Sequence, residues 1–164
     1  MWIPWTLWIP WSSPIMLESL EQALDRLQKA TKARLLLVSD SHGRLDGIER
    51  LIEQQERPDI ILHCGDHQDP VAEISWAFDL PVLGVAGNCD HLAPLDALPL
   101  ERLVVLAGQR IYLTHGHLQG VKHQLNGLIH AASSANIRAD IACFGHTHHQ
   151  LAHEIPRPNQ NLLL

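Results

Sequence analysis

The chain has 164 residues, which suits one domain built around one sizeable core. Apolar residues make up 46% and charged residues 18%, which excludes a disordered chain, and a net charge of −6 argues against a basic surface that grips nucleic acid. A small phosphorylated substrate stays open, because bound cations invert the field of an acidic site.

Residues 1–15 carry Trp2, Trp5, Trp8 and Trp11 at every third position, with Pro4, Pro10 and Pro14 between them. This stretch reads either as a disordered tail, with Met16 as the true start, or as an interfacial or partner anchor, since tryptophan favours half-wet sites. Residues 16–164 are expected to form a single domain. Leu17, Leu20, Ala23, Leu24, Leu27 and Ala30 follow helical spacing and predict a packing helix over 17–31. Leu35-Leu36-Leu37-Val38 is a short apolar run of the buried-strand type, ending at Asp40-Ser41-His42-Gly43. A helix is expected over 45–55, broken by Pro58, and then a second buried strand, Ile60 to His63, ending at Gly65-Asp66. A short helix over 71–78 precedes a third strand over 81–86, which stops at Gly87-Asn88-Cys89-Asp90. Runs 103–106 and 110–113 flank Ala107-Gly108-Gln109 as a hairpin whose second arm stops at Thr114-His115-Gly116-His117. A helix over 121–135 and a strand over 141–144 follow, the strand running into Gly145-His146-Thr147-His148.

This order predicts an α/β fold. Five times an apolar strand runs into a Gly-containing turn with Asp, Asn or His, and sites in such sheets gather at the carboxyl ends of strands. In extended chain, residues i and i+2 project to the same side, so Asp40 with His42 and His146 with His148 are each expected to aim two donors into one pocket. Asp66 adds a carboxylate able to bridge two cations, Asn88 an amide oxygen and His115 a further imidazole. Mixed oxygen and nitrogen donors suit Mn, Fe, Zn, Co or Ni. Cys64, Cys89 and Cys143 are odd in number and widely spaced, which predicts no disulfide framework and a reducing cytoplasm. No run approaches the roughly 20 apolar residues of a membrane span.

Asp40-Ser41-His42, Gly65-Asp66-His67-Gln68-Asp69, Gly87-Asn88-Cys89-Asp90, Thr114-His115-Gly116-His117 and Gly145-His146-Thr147-His148 resemble the five ordered motifs of the calcineurin-like metallophosphoesterases. The Gly-Asn-Cys-Asp version is similar to the small bacterial and archaeal phosphodiesterase branch, and the resemblance runs from about Arg34 to the C-terminus. It implies a four-layer α/β/β/α sandwich and two divalent metal ions, manganese first among them. One metal would take Asp40, His42, Asp66 and His148; the other would take Asp66, Asn88, His115 and His146. The implied reaction is phosphoester hydrolysis by in-line attack of a bridging hydroxide, with Asp66, Asn88 and His117 as the catalytic residues and a small phosphoester as substrate. A homo-oligomer is allowed. The alternative is a non-catalytic interaction scaffold on the same fold, like the retromer subunit that resembles this branch; such scaffolds tend to lose metal ligands, and all seven are kept here.

Two departures matter. Many relatives carry histidine after the asparagine of the third motif, where it can protonate the leaving oxygen; here Cys89, a poor general acid when neutral, stands there. His117 is the nearest substitute acid or phosphate contact, or else a supporting or solvent-facing histidine. Asp69 and Asp90 either orient ligand histidines or shape turns, and His63 is expected to be a packing residue. The family usually continues after His-x-His through an Asn-Pro-Gly-Ser segment and further strands. This chain ends Asn161-Leu162-Leu163-Leu164, so the expected sandwich lacks its C-terminal strands.

Overall fold

The computed structural model describes residues 18–67, 71–90, 98–158 and 160–164. The Trp/Pro-rich stretch and Asp69 therefore lie outside the described residues. Strands β1 (Leu35–Val38), β2 (Ile60–His63) and β3 (Val82–Gly84) form a parallel sheet in that order, with Leu36 opposite Ile61 and Leu62 opposite Leu83. The second sheet contains β4 (Glu101–Leu106), β5 (Gln109–Thr114), β6 (Ile141–Cys143), β7 (Glu154–Ile155) and β8 (Leu162–Leu163), in the order β4-β5-β6-β8-β7. The β4–β5 hairpin is antiparallel, while β6 runs parallel to β5 and β8 parallel to β6.

The two-residue alternation of the strands sets the layers. Ile60 and Leu62 face the second sheet and pack with Leu83, Val85, Leu106, Ile111, Leu113 and Cys143. Ile61, between them, points to the other face and joins Val38, Ile48, Ile74 and Val82 beneath α2 (Asp46–Glu53) and α3 (Val71–Phe78). On the far side of the second sheet, Tyr112, Ala142 and Leu162 pack against Leu128 and Ala132 of α4 (Asn126–Ser133). These are helix, sheet, sheet and helix layers, as the resemblance implied. Helix α1 (Leu20–Lys29) starts on a Ser19–Gln22 capping box and closes the central core with Leu27.

The helix expected over 121–135 is shorter. It begins only at Asn126, because Gly116 and Gly120 take left-handed φ values of 95° and 68° and Val121 N–H turns back to the Gly116 carbonyl at 3.3 Å. Strands β7 and β8 have only two residues each and carry no periodic signal. They are held by reciprocal bonds between His153 and Leu164, of 3.1 and 2.8 Å. Among the described residues no helix is long and apolar enough to cross a membrane.

Candidate metal centre

The loops that leave β1, β2, β3, β5 and β6 are tied to one another at one edge of the two sheets. Asp40 N–H donates to the Gly65 carbonyl (3.0 Å), His42 N–H to that of Asp66 (3.0 Å) and Gly145 N–H to that of His115 (3.1 Å). His146 N–H reaches the Asp40 carboxylate at 3.0 Å. The donor atoms of Asp40, His42 and His148 consequently lie within 4.8 Å of one another, as do those of Asp66, His115 and His146. Asn88 Oδ1 lies 3.2 Å from His115 Nε2, beside the second group. All seven side chains expected as ligands are thus brought to one place.

The hydrogen bonding shows how the donors are oriented. His115 is fully buried, and its Nδ1 meets the Cys64 carbonyl at 2.7 Å. A carbonyl only accepts, so Nδ1 carries a proton and donates to it, and Nε2 is the ring atom turned toward the other donors. Facing Nε2 are Asn88 Oδ1 at 3.2 Å, His146 Nδ1 at 3.1 Å and Asp66 Oδ2 at 3.4 Å. On the other side, Asp40 Oδ2 accepts from Ser39 Oγ at 2.5 Å, while Oδ1 is buried with no hydrogen bond, 3.3 Å from His148 Nε2. A cation among these oxygen and nitrogen atoms would hold them together. Two donors bound ~2.0–2.2 Å from one first-row cation, at angles of roughly 90–110°, stand ~3.0–3.4 Å apart. The spacings found here fall in that range, so the donor set fits divalent metal ions.

The route to this convergence differs from the extended-chain expectation. Asp40, His42, Asp66, His146 and His148 all have φ between 47° and 69°, in the left-handed region. The paired donors therefore share a pocket through tight left-handed turns, not by strand alternation. Non-glycine residues held there carry strain, which surrounding structure must maintain.

Several further groups support the donors. Asp90 Oδ2 accepts from both Asp66 N–H (2.8 Å) and Gly87 N–H (2.7 Å), so it pins two ligand loops together, and it also lies 3.5 Å from the buried ring of His67. The histidine beside Asp90 is not one of the expected ligands, and the two backbone bonds of Asp90 brace the turns. His63 is more than packing, since its Nε2 bonds Ser41 Oγ at 3.0 Å, between the two donors Asp40 and His42. A partner that is a backbone carbonyl, like that of Cys64, has no sequence signature at all. His117 stands with its ring 5.4 Å from that of His115 and 6.1 Å from that of His146, and burial, with His115 beside it, lowers its pKa. Cys89 is partly exposed; its N–H donates to Asp66 Oδ1 at 2.8 Å, and the thiol bond to Asp66 raises its pKa.

His63 also sets an acid limit. Burial, reinforced by the neighbouring His67, pushes its imidazole down to about 4. An unfolded chain protonates histidine near ~6.5. Between those values the unfolded state binds a proton that the native site refuses, so stability is full above ~6.5 and falls as pH drops toward ~4, by about 3 kcal/mol. Denaturant melts at pH 7 and pH 4.5 should therefore differ more for the wild type than for His63→Leu. Equal differences would remove His63 as the cause.

Residues 34–163 match the calcineurin-like phosphoesterase superfamily domain. The probable metallophosphoesterase YsnB of Bacillus subtilis is 34% identical over 120 residues, covering 70% of this chain and 63% of that protein. The chain thus spans less than two thirds of that relative's length. Phosphodiesterase YfcE of Escherichia coli is 29% identical over 144 residues, covering 74% and 72% of the two chains. Among solved structures, a Streptococcus pneumoniae protein described as a predicted phosphoesterase aligns with TM-score 0.60 at 25% identity, covering 80% of this chain and 70% of that one. Vacuolar Protein Sorting 29 of Cryptosporidium parvum aligns with TM-score 0.62 at 18% identity, covering 80% and 72%, a likeness of fold alone. With the matched domain running from the start of β1 nearly to the last residue, this chain belongs to the calcineurin-like phosphoesterase superfamily.

Proposed function

We propose that this chain is a metal-dependent phosphoesterase that prefers diesters. The observation that carries this reading is the gathering of Asn88 Oδ1, His146 Nδ1 and Asp66 Oδ2 within 3.4 Å of His115 Nε2. Asp40, His42, Asp66 and His148 would hold one divalent cation and Asp66, Asn88, His115 and His146 a second, with manganese as first candidate. A cation pair held there would acidify a water for in-line attack and draw charge from the phosphoryl oxygens. Asp66 would join the two sets, and its Oδ1 accepts from the Cys89 N–H at 2.8 Å. His117, whose pKa burial lowers, would contact a phosphoryl oxygen. Cys89 stands where a histidine would protonate the leaving group, and a neutral thiol does that poorly. Substrates whose leaving groups depart without a proton are therefore favoured.

The test is metal analysis of the purified full chain, followed by Mn²⁺-supported hydrolysis of a series of aryl phosphodiesters. Expected are bound metal, rescue by Mn²⁺ and a rate that falls steeply as leaving-group pKa rises. No metal and no rescue would sink the enzyme reading in favour of a non-catalytic scaffold on this fold; a flat leaving-group plot would sink the account of Cys89. The three cysteines are all free, which supports a reducing cytoplasm as its site of action.

A further inference from the structure

Cys89 belongs to a third set of donors. Its sulfur, a ring nitrogen of His42 and a carboxylate oxygen of Asp66 lie within 4.8 Å of one another. This set takes one member from each of the other two groups: His42 from the group with Asp40 and His148, and Asp66 from the group with His115 and His146. The pocket it adjoins already has a cation-seeking group that no hydrogen bond satisfies, since the Asp40 side chain is only 8% exposed and its Oδ1 is unbonded. His42 is common to two of the sets, so a cation held by one competes with the other for the same imidazole ring.

We propose that Cys89 is a metal-selectivity residue: with His42 and Asp66 it forms a thiol-containing site that captures a thiophilic divalent cation such as Zn²⁺ or Cd²⁺ and thereby prevents assembly of the oxygen- and nitrogen-ligated pair. This rests on the metal-dependent reading above. Hard Mn²⁺ gains little from sulfur and takes the aspartate and histidine donors, whereas softer cations favour thiolate. Binding breaks the Cys89 S–H bond, forms an S–metal bond and releases the proton to solvent, since a coordinated thiol is deprotonated outright. No change of oxidation state is involved. Asp40 and His148 would then be left without the His42 nitrogen that completes their group. The thiophilic ion would hold the two halves of the centre in an arrangement with no room for the working one.

Titration of the metal-free full chain with Co²⁺ reads this directly, because thiolate-bound Co²⁺ shows a near-ultraviolet charge-transfer band that oxygen and nitrogen donors do not give. The wild type should develop the band and Cys89→Ser should lose it. By calorimetry, the preference for Zn²⁺ over Mn²⁺ should fall about tenfold or more in Cys89→Ser, with Mn²⁺ affinity nearly unchanged. Retained Mn²⁺ binding also shows that the variant is folded. Zn²⁺ added in equal amount to Mn²⁺-loaded wild type should suppress turnover, and the suppression should be relieved in Cys89→Ser, measured against that variant's own Mn²⁺ rate. A wild type that binds Mn²⁺ but shows no Co²⁺ band, or a band that persists in Cys89→Ser, overturns the proposal and leaves the metal-dependent reading standing. A chain that binds neither Mn²⁺ nor Co²⁺ overturns both.

Discussion

Asp66→Asn should lower kcat/KM for Mn²⁺-supported phosphodiester hydrolysis by at least ~10³-fold while leaving the chain folded. Asp66 is 2% exposed, its donor atom lies within 4.8 Å of those of His115 and His146 and, in a separate grouping, of that of His42, and it is the ligand proposed to serve both cations, so one substitution should weaken both. Asparagine keeps the volume and one oxygen, which can still accept the Cys89 N–H now bonded to Asp66 Oδ1. What it loses is the negative charge and the oxygen that stands 3.4 Å from His115 Nε2. Metal content per chain, measured alongside rate, separates loss of binding from loss of chemistry. His117→Ala is the comparison. Its ring lies beside the donors but is not one of them, so its loss should cost only ~10–100-fold and leave metal content unchanged. If Asp66→Asn keeps wild-type metal content and rate, or if His117→Ala is the more damaging of the two, the assignment of Asp66 as the shared ligand fails.

The contrast between those two residues shows what the sequence discloses and what it does not. The run Ile60 to His63 coincides with a strand because both faces of that central strand are covered, which leaves no polar alternation to blur its limits, whereas Leu35 to Val38, expected to be buried, forms an edge strand in which Leu37 is 48% exposed. The position of each donor at a strand end was legible for the same reason, since a buried run must stop where polar side chains begin. The turn at Gly116 to Val121 was not legible, because Val121 and Leu125 keep helical spacing with the real helix while the backbone just before them reverses on Gly120. Left-handed backbone at Asp40, His42, Asp66, His146 and His148 was hidden more deeply. It runs against local preference by ~1–2 kcal/mol per residue and exists only because separate loops brace one another. Asp90, which ties Asp66 to Gly87 through two backbone bonds, is the clearest of those braces.

That close approach yields the second large effect. Gly87→Ala should destabilise the fold by about 2–4 kcal/mol and also reduce metal-dependent turnover. A Cβ on Gly87 would collide with Asp66 Oδ1 and would stand 2.5 Å from the Asp66 backbone nitrogen and 2.8 Å from its Cγ. Nothing there is the far end of a flexible chain. The backbone of Asp66 is anchored by Asp90 and its carboxylate by Cys89 N–H, so relief requires parting the two loops that carry Asp66 and Asn88. Gly87 has no left-handed φ, so the penalty is one of space and not of conformation. Gly47 supplies the control: a Cβ there meets nothing within 4 Å, and the residue lies inside α2, so Gly47→Ala should stabilise by about 0.5–1 kcal/mol. Urea midpoints of the two variants should accordingly move in opposite directions, and metal affinity should fall only for Gly87→Ala. A Gly87→Ala protein with the wild-type midpoint and metal affinity would mean that the loops are free to separate, and that the close packing of Asp66 against Gly87 does not hold the centre together.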